Sequence, residues 1–555
     1  MDSAATSLEL PVGDLIAGAL ADLGVTHVFG VISIHNMPIL DAIARQGRMR
    51  FVPARGEAGA MNMADAFSRV TRGLGVCITS TGTAAGNAAG SQVEALTAGS
   101  SVLHITTQID RPFMDRDRAP IHDVPRQPDM LKAISKAYIR VWEPHQAVDA
   151  VLAAAQAALS APTGPVSLEI PIDVQRVKQR ARGPARVAVQ QVVPDPAALD
   201  AIADLILRAE RPMLWLGGGA RGAAAAATAL VDRGMAAVTS TQGRAVVPET
   251  HPRSLGAFNM TAEAQALYER AHLMLVVGSR LRGNETRNNA MRLPRVLAQV
   301  DAEPTQAGRN YPVDVFVAGD ARLVLEGLLA RLPATLATDA AFLDAVAPAK
   351  AAGEAALRRV LGPYAAVADA LSARVLAGRH PWVRDVTISN STFGNRYVKL
   401  AAPHLGVHAL GGGIGQGIAM GIGAALAGAG RAICLVGDGG AQLMIGELAC
   451  AMEVAAPVTF ILMNDRGYGV IRNIQDAQYG GRHEYSNILT PDFAMVCASI
   501  GMPHRRIVSA GDFAGALDTA MAGDGPNMIE LDMLAIGPFA ESFAGPPAGA
   551  AGSVR

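Results

Sequence analysis

The sequence predicts an α/β protein made of three parallel-sheet domains in series. Short apolar runs alternate with helix-period stretches along nearly the whole chain, the pattern of parallel strands covered on both faces. The alternation recurs in three segments of comparable length, which suggests a duplicated architecture although no strict short-period repeat is present. A chain of 555 residues is also too long for one hydrophobic core, and its size points to about three or four domains. With 50% hydrophobic and 17% charged residues, extensive disorder is excluded. The formal charge of −1 shows no bias towards nucleic acid or an anionic membrane surface.

The first segment opens with "VGDLIAGALADLGVTHVFGV", whose apolar residues recur at helical spacing before a strand-like end. "LGVCITST", "SSVLHITTQ" and "GPVSLEIPIDV" continue it as buried-strand candidates. Residues 178–194, "KQRARGPARVAVQQVVP", read as a basic, structureless connector. "RPMLWLGGGA", "HLMLVVGSRL" and "VLAQVDAEP" supply the strands of the second segment, and the Ala-rich stretch near 332–362 reads as a helical linker. "WVRDVTISN", "RAICLVGDGG", "VTFILMNDRG" and "NMIELDML" supply those of the third. The domains fall at residues 1–178, 195–333 and 360–540, with the Gly/Pro/Ala-rich residues 541–555 as a flexible tail.

The four cysteines, Cys77, Cys434, Cys450 and Cys497, form no CxxC pair. They read as reduced, mostly buried thiols in a cytoplasmic protein. The N-terminus "MDSAATSLELPVGD" has no positive region followed by an apolar core, so no signal peptide is expected. Residues 405–430 carry no acid, Lys or Arg, but they are glycine-rich with few large apolar side chains. A buried glycine-rich loop and helix fit them better than a membrane span.

The strongest local signal lies in residues 435–470, "LVGDGGAQLMIGELACAMEVAAPVTFILMNDRGYGV". One apolar strand ends in Gly437, Asp438, Gly439 and Gly440, and a second ends in Asn464, Asp465, Arg466 and Gly467. Both tips project from the C-terminal edge of one parallel sheet, where such folds bind ligands. Glycines admit phosphate oxygens to backbone N–H groups, and a helix N-terminus favours the anion. Mg²⁺ takes oxygen ligands and commonly bridges carboxylates to phosphates. Asp438 and Asp465, 27 positions apart, offer such oxygens. A "GDGG" alone is a common turn after a strand, and the second tip at this spacing makes the ordinary reading weak.

The pair resembles the GDG…N(N/D) signature of thiamine-diphosphate enzymes of the acetolactate synthase and benzoylformate decarboxylase superfamily. Residues 52–90, "VPARGEAGAMNMADAFSRVTRGLGVCITSTGTAAGNAAG", are similar to that family's RHE…TSGPG-x-x-N run, and residues 411–427, "GGGIGQGIAMGIGAALA", to its G-x-M-G-x-G segment. "QGRAVVPETHP" and "QVDAEPTQAGRNYPVDVFVAGDA" are similar to its central domain, so the resemblance covers nearly the whole chain. It implies a pyrimidine-binding domain, a central domain and a diphosphate-binding domain, in that order. It also implies thiamine diphosphate and Mg²⁺ as cofactors.

By the resemblance, Asp438, Asp465 and the carbonyl of Gly467 bind Mg²⁺, with Asn464 replacing Asp465 if the register shifts by one. Gly437, Gly439 and Gly440 form the diphosphate turn. Glu57 bonds N1′ of the aminopyrimidine and promotes the imino tautomer. Locally it would otherwise read as a surface acid. Thr81, Gly82 and Asn87 face the cofactor, unless they merely make a turn. Ile414 wedges between the two rings and the Gly412 carbonyl accepts from the 4′-amino group, while Gly417, Gly421 and Ala425 also suit plain close packing. The family's histidine before the acid is Gly56 here, and Asp465 stands where Asn is frequent, adding a negative charge beside the diphosphate.

Substrate-side residues diverge from the better-known members. His35, His122 and Gln127 are candidates for substrate contact, and His122 also for proton transfer, against the ordinary reading of a loop histidine as a surface residue. The resemblance implies decarboxylation of a 2-oxo acid, carboligation, or both. One alternative is a lyase or hydrolase acting on a hydroxy-ketone, a cyclic dione or a 2-hydroxyacyl-CoA. Another is a non-catalytic cofactor-binding subunit. Flavin binding (FAD), as in some acetolactate synthases, is left open by "SRLRGNETRNN". A homodimer or homotetramer with sites between subunits is expected, with a small carbonyl substrate and neither nucleic-acid nor membrane partners.

Overall fold

A computed structural model describes residues 8–118 and 120–543. Most of the expected tail, residues 544–555, and the first seven residues of the chain lie outside the described residues. The chain forms three parallel sheets of six, five and six strands. The first contains His27–Gly30, Arg50–Pro53, Gly75–Thr79, Val102–Gln108, Ala137–Arg140 and Val166–Pro171. The second contains Pro212–Leu216, Ala236–Thr239, Leu273–Val277, Val296–Asp301 and Val315–Ala318. The third contains Trp382–Arg384, Gly406–His408, Ala432–Gly437, Val458–Asn464, His504–Ile507 and Asn527–Asp532.

Helices cover both faces of the sheets, so their central strands read as unbroken apolar runs rather than alternating ones. Gly75–Thr79, Leu273–Val277 and Val458–Asn464 are buried along their whole length. The glycine-rich stretch is a buried helix, Gly417–Leu426. It packs on the Glu57–Thr71 helix of the first domain, so closely that a methyl group added at Gly423 would lie 2.1 Å from the Met63 carbonyl oxygen. One hydrophobic core therefore joins the two domains, with Met61 and Phe67 packed with Ile418, Ile422 and Phe460. The middle sheet has cores of its own, around Leu214 and Val277 on one face and Trp215 and Tyr268 on the other. Among the described residues no helix is long and apolar enough to cross a membrane.

Two expectations are corrected. Residues 178–194 are not structureless throughout. Lys178–Arg180 pairs antiparallel with Glu9–Pro11, and Ala185 packs into the first domain's core. A backbone ladder needs no apolar side chains, which is why a polar run can form it. The Ala-rich stretch near 332–362 is helical, as Ala340–Asp344 and Val346–Val360, but it is no free linker. Phe342 and Val346 are buried in a core of the middle domain.

Candidate active site

The third sheet aligns Gly437 with Met463 on the neighbouring strand, so Asp438 and Asp465 leave the same C-terminal edge side by side. Asp438 is only 1% exposed. Its carboxylate accepts from the backbone N–H of Gly467 at 2.8 Å and of Asp465 at 3.4 Å, which shapes the second tip around the first. Burial, reinforced by the adjacent Asp465 carboxylate, raises the Asp438 pKa above the usual carboxylate range. Burial also raises Asp465, opposed by the Arg472 guanidinium 2.8 Å away. Asn464 turns elsewhere, its amide donating to Glu530 at 2.7 Å. Gly439 lies so near the second tip that a side chain would meet the Tyr468 ring at 2.7 Å and the Gly467 carbonyl oxygen at 2.9 Å.

Two crowded carboxylates, a carbonyl beside them and a glycine turn fit a hard divalent cation carrying a diphosphate. Among the described residues no cluster of three or more Asp, Glu, His or Cys side chains could hold a metal by itself. A cation here thus relies on two carboxylates, backbone oxygen and oxygens brought by its ligand.

Glu57 is the first residue of the Glu57–Thr71 helix and is half-buried. Its carboxylate accepts from the Asn87 amide at 3.1 Å. Asn87 projects from the first turns of the Thr83–Ala98 helix. The Thr81 hydroxyl lies 2.8 Å from Oε1 of Gln108 and 3.0 Å from Oε1 of Gln127, and Gly82 N–H donates to the latter oxygen at 2.6 Å. Thr81 and Gln127 are buried, and the Gln127 amide nitrogen donates to the buried Glu169 at 2.7 Å. Gln127 braces the Thr81–Gly82 turn from behind. The polar atoms of Gln127, expected to contact substrate, are engaged within the protein.

His35 and His122 meet edge to face, with ring centroids 5.3 Å apart. His35 also lies 3.4 Å from the Ser80 hydroxyl. Burial and then the neighbouring His122 hold the His35 pKa below the usual histidine value. His122 adopts a left-handed backbone, φ 70°, and its carbonyl lies against Gly82. The loop after the Gly406–His408 strand exposes Gly411 to Ile414, and Ile414 is 40% exposed.

The expected residues fall in three groups, the last two of which adjoin, since a methyl group added at Gly415 would lie 3.1 Å from the Gly440 carbonyl oxygen. Glu57 and Asn87 form one group, Gly412 and Ile414 occupy an exposed loop, and Gly437 to Gly440 with Asp465 and Gly467 form the third. Among the described residues no hydrogen bond or ion pair joins Glu57 or Asn87 to the other two. Sequence reasoning passed over Glu94, Asp385, Glu447 and Arg472. Asp385 follows a strand end and carried a usable signal. Glu447 accepts from the backbone N–H groups of Arg55 and Gly56, both at 3.0 Å, a partnership across 391 positions or more that no local pattern reveals.

Comparison with known proteins places the chain in a family. Three family models match in chain order. They are described as the N-terminal TPP binding domain of thiamine pyrophosphate enzymes over residues 10–132, the central domain over 199–328 and the C-terminal TPP binding domain over 388–531. The chain is 30% identical over 530 residues to a probable 2-ketoarginine decarboxylase of Pseudomonas aeruginosa, covering 94% of each chain. It is 26% identical over 541 residues to a probable acetolactate synthase large subunit of Methanocaldococcus jannaschii, covering 93% of this chain and 91% of that one. An acetolactate synthase of Arthrospira platensis is 27% identical over 551 residues, covering 92% and 91%. The chain belongs to the thiamine pyrophosphate (thiamine diphosphate) enzyme family.

Proposed function

We propose that this protein decarboxylates a 2-oxo acid, releasing the remaining fragment or joining it to an acceptor carbonyl, with thiamine diphosphate anchored through Mg²⁺. The observation that carries the reading is the pair of adjoining carboxylates, Asp438 and Asp465, at one edge of the third sheet. Asp438, Asp465 and the Gly467 carbonyl hold the cation, while Gly437, Gly439 and Gly440 admit the diphosphate. The Asn464 amide nitrogen donates to Glu530 and its Oδ1 accepts from Arg466 N–H at 3.1 Å, which supports Asp465 as the ligand. Arg472 offsets the charge that Asp465 adds. Thiamine diphosphate supplies the electron sink for breaking a bond beside a carbonyl. Glu57 holds the proton at N1′ of the aminopyrimidine, oriented by Asn87, and the Gly412 carbonyl accepts from the 4′-amino group. Ile414 would pack against the cofactor, and Thr81 and Gly82 would shape the opposing wall. His122, with His35 packed on it, is placed to give a proton to the product or take one from the substrate. The reading requires no flavin.

The working unit is a homodimer at least. Glu57 and Asp438 are not joined within one chain, and exposed apolar side chains flank both groups. Ile34 and Ile121 adjoin the histidines, and Leu443 and Ile471 lie on the other side. Exposed apolar surface of this kind marks interaction sites. Four unpaired, buried thiols fit a cytoplasmic setting. The test is CO₂ release from a panel of 2-oxo acids, with and without aldehyde acceptors, by protein dialysed free of cofactor and then reloaded. Release that requires both thiamine diphosphate and Mg²⁺ is expected. Turnover with no cofactor dependence would refute the reading.

A further inference from the structure

The loop from Leu410 to Gly415 is strung between two buried carboxylates from different domains. At its leading end, the backbone N–H groups of Leu410 and Gly411 donate to the two oxygens of Glu94, at 2.7 and 2.6 Å. Glu94 belongs to the Thr83–Ala98 helix of the first domain and is 2% exposed. Arg69 of the neighbouring helix donates to Glu94 at 3.1 Å and to the His408 carbonyl at 2.7 Å, and is itself paired with Asp65 at 2.5 Å. At the trailing end, Gly415 N–H donates to both oxygens of Asp385, at 3.1 and 3.0 Å. Burial raises the Asp385 pKa to about 6, against the opposing pull of backbone N–H groups from Val386, Gly417, Gly415 and Gln416.

Buried carboxylates are costly unless fully bonded, and each of these accepts from loop backbone as well as from one further donor, Arg69 for Glu94 and Val386 N–H for Asp385. Between the anchors the backbone is exposed from Gly411 to Ile414 and turns through left-handed glycines, Gly412 at φ 80° and Gly415 at φ 85°. Such a segment would otherwise be free to wander. The anchors hold both of its ends.

We propose that Glu94 and Asp385 are positioning residues that fix this loop for the aminopyrimidine end of the cofactor, so that preference for thiamine diphosphate over a bare diphosphate depends on a carboxylate reaching in from the neighbouring domain. This rests on the cofactor reading above. Glu94→Gln keeps the size but offers one acceptor where two N–H groups need one each, and its amide N–H group would face a donor. Gly411→Ala disturbs the same contact from the loop side, because the added methyl would lie 2.8 Å from a Glu94 oxygen. It leaves the ion pair between Glu94 and Arg69 in place.

The experiment is calorimetric titration of the dialysed full-length protein with thiamine diphosphate and, separately, inorganic pyrophosphate, each with Mg²⁺. Both variants should lose thiamine diphosphate affinity by about 10- to 100-fold while pyrophosphate affinity stays within about twofold. Glu94→Asp, which keeps the charge but is shorter, should fall between the wild type and Glu94→Gln in that ratio. An equal loss for both ligands, or an unchanged ratio in either variant, would overturn the positioning role while leaving the cofactor reading intact. Wild-type protein that binds neither ligand would overturn the reading itself and the inference with it.

Discussion

With strands numbered in chain order within each parallel sheet, the first and third sheets have the same order, 2-1-3-4-6-5, and the middle sheet runs 2-1-3-4-5. Equivalent strand tips of the outer domains have taken on different work. After the second strand, the first domain presents Glu57 at a helix start and the third presents the loop with Gly412 and Ile414. After the third strand, the first domain has the Thr81–Gly82 turn, closed inward on Gln127, and the third has the open turn of Asp438. One scaffold has given a wall at one end and an ion site at the other. The difference lies in what meets the tip: a neutral amide, Gln127, holds the Thr81–Gly82 turn, whereas a second carboxylate, Asp465, stands beside Asp438.

The most severe way to break that contrast is Asp438→Ala. It should abolish Mg²⁺-dependent retention of thiamine diphosphate, weakening it by more than about 100-fold by calorimetry. Unchanged affinity would remove the ion site from the third domain. Glu57→Gln should leave the cofactor bound through its diphosphate end and slow proton exchange at thiazolium C2 by about 10²–10⁴-fold. Quenched exchange in D₂O followed by NMR reads this directly, and wild-type rates would unseat Glu57. Mixing Glu57→Gln with Asp438→Ala chains sharpens the comparison further. If sites lie between subunits, random re-pairing should restore about a quarter of wild-type activity, one intact site per hybrid dimer. No recovery despite proven exchange of subunits would argue for sites within one chain.

The matching fourth strands differ in their response to acid. Val102–Gln108 of the first domain carries His104, bonded to Thr79 at 2.9 Å and Gln92 at 2.7 Å, and burial pushes its pKa down to about 4. The unfolded chain therefore binds a proton that the folded protein refuses. The stability tied to His104 is complete above pH 6.5 and drains away as pH falls towards 4, at about 1 kcal/mol per pH unit. Urea unfolding across this range should show the slope in wild type and a flatter one in His104→Gln. An identical slope would mean that other groups dominate. The smallest effect should come from Asp465→Asn, since an amide oxygen still coordinates. Cofactor affinity should change less than about tenfold, and a loss as deep as that of Asp438→Ala would show the carboxylate charge to be essential.

Much of the fold was legible because parallel strands buried on both faces leave continuous apolar runs such as "VTFILM". The strand Lys178–Arg180 was not, because it is polar and its partner, Glu9–Pro11, lies about 170 positions earlier. The ion-site motif could be read because both halves sit at strand ends with glycine beside them. Glu94 gave no local sign. It lies inside a helix, and the backbone it holds is 316 positions away. Gln127 stands five positions from His122 in the chain, and nothing in that adjacency foretold that its amide would face inward.

The close approach at Gly423 has a consequence for building new enzymes from this one. Because the Met63 carbonyl occupies the space of any side chain there, the outer domains behave as one inherited part with two halves cut to each other. A chimera that replaces only one half must import the matching face of the other. The middle domain is the exchangeable cassette. Its replacement has to reproduce the grip of Arg244 on the carbonyls of Asn395 and Gly394, the bond from Leu400 N–H to Glu249, and the reach of Arg282 to the Thr97 carbonyl.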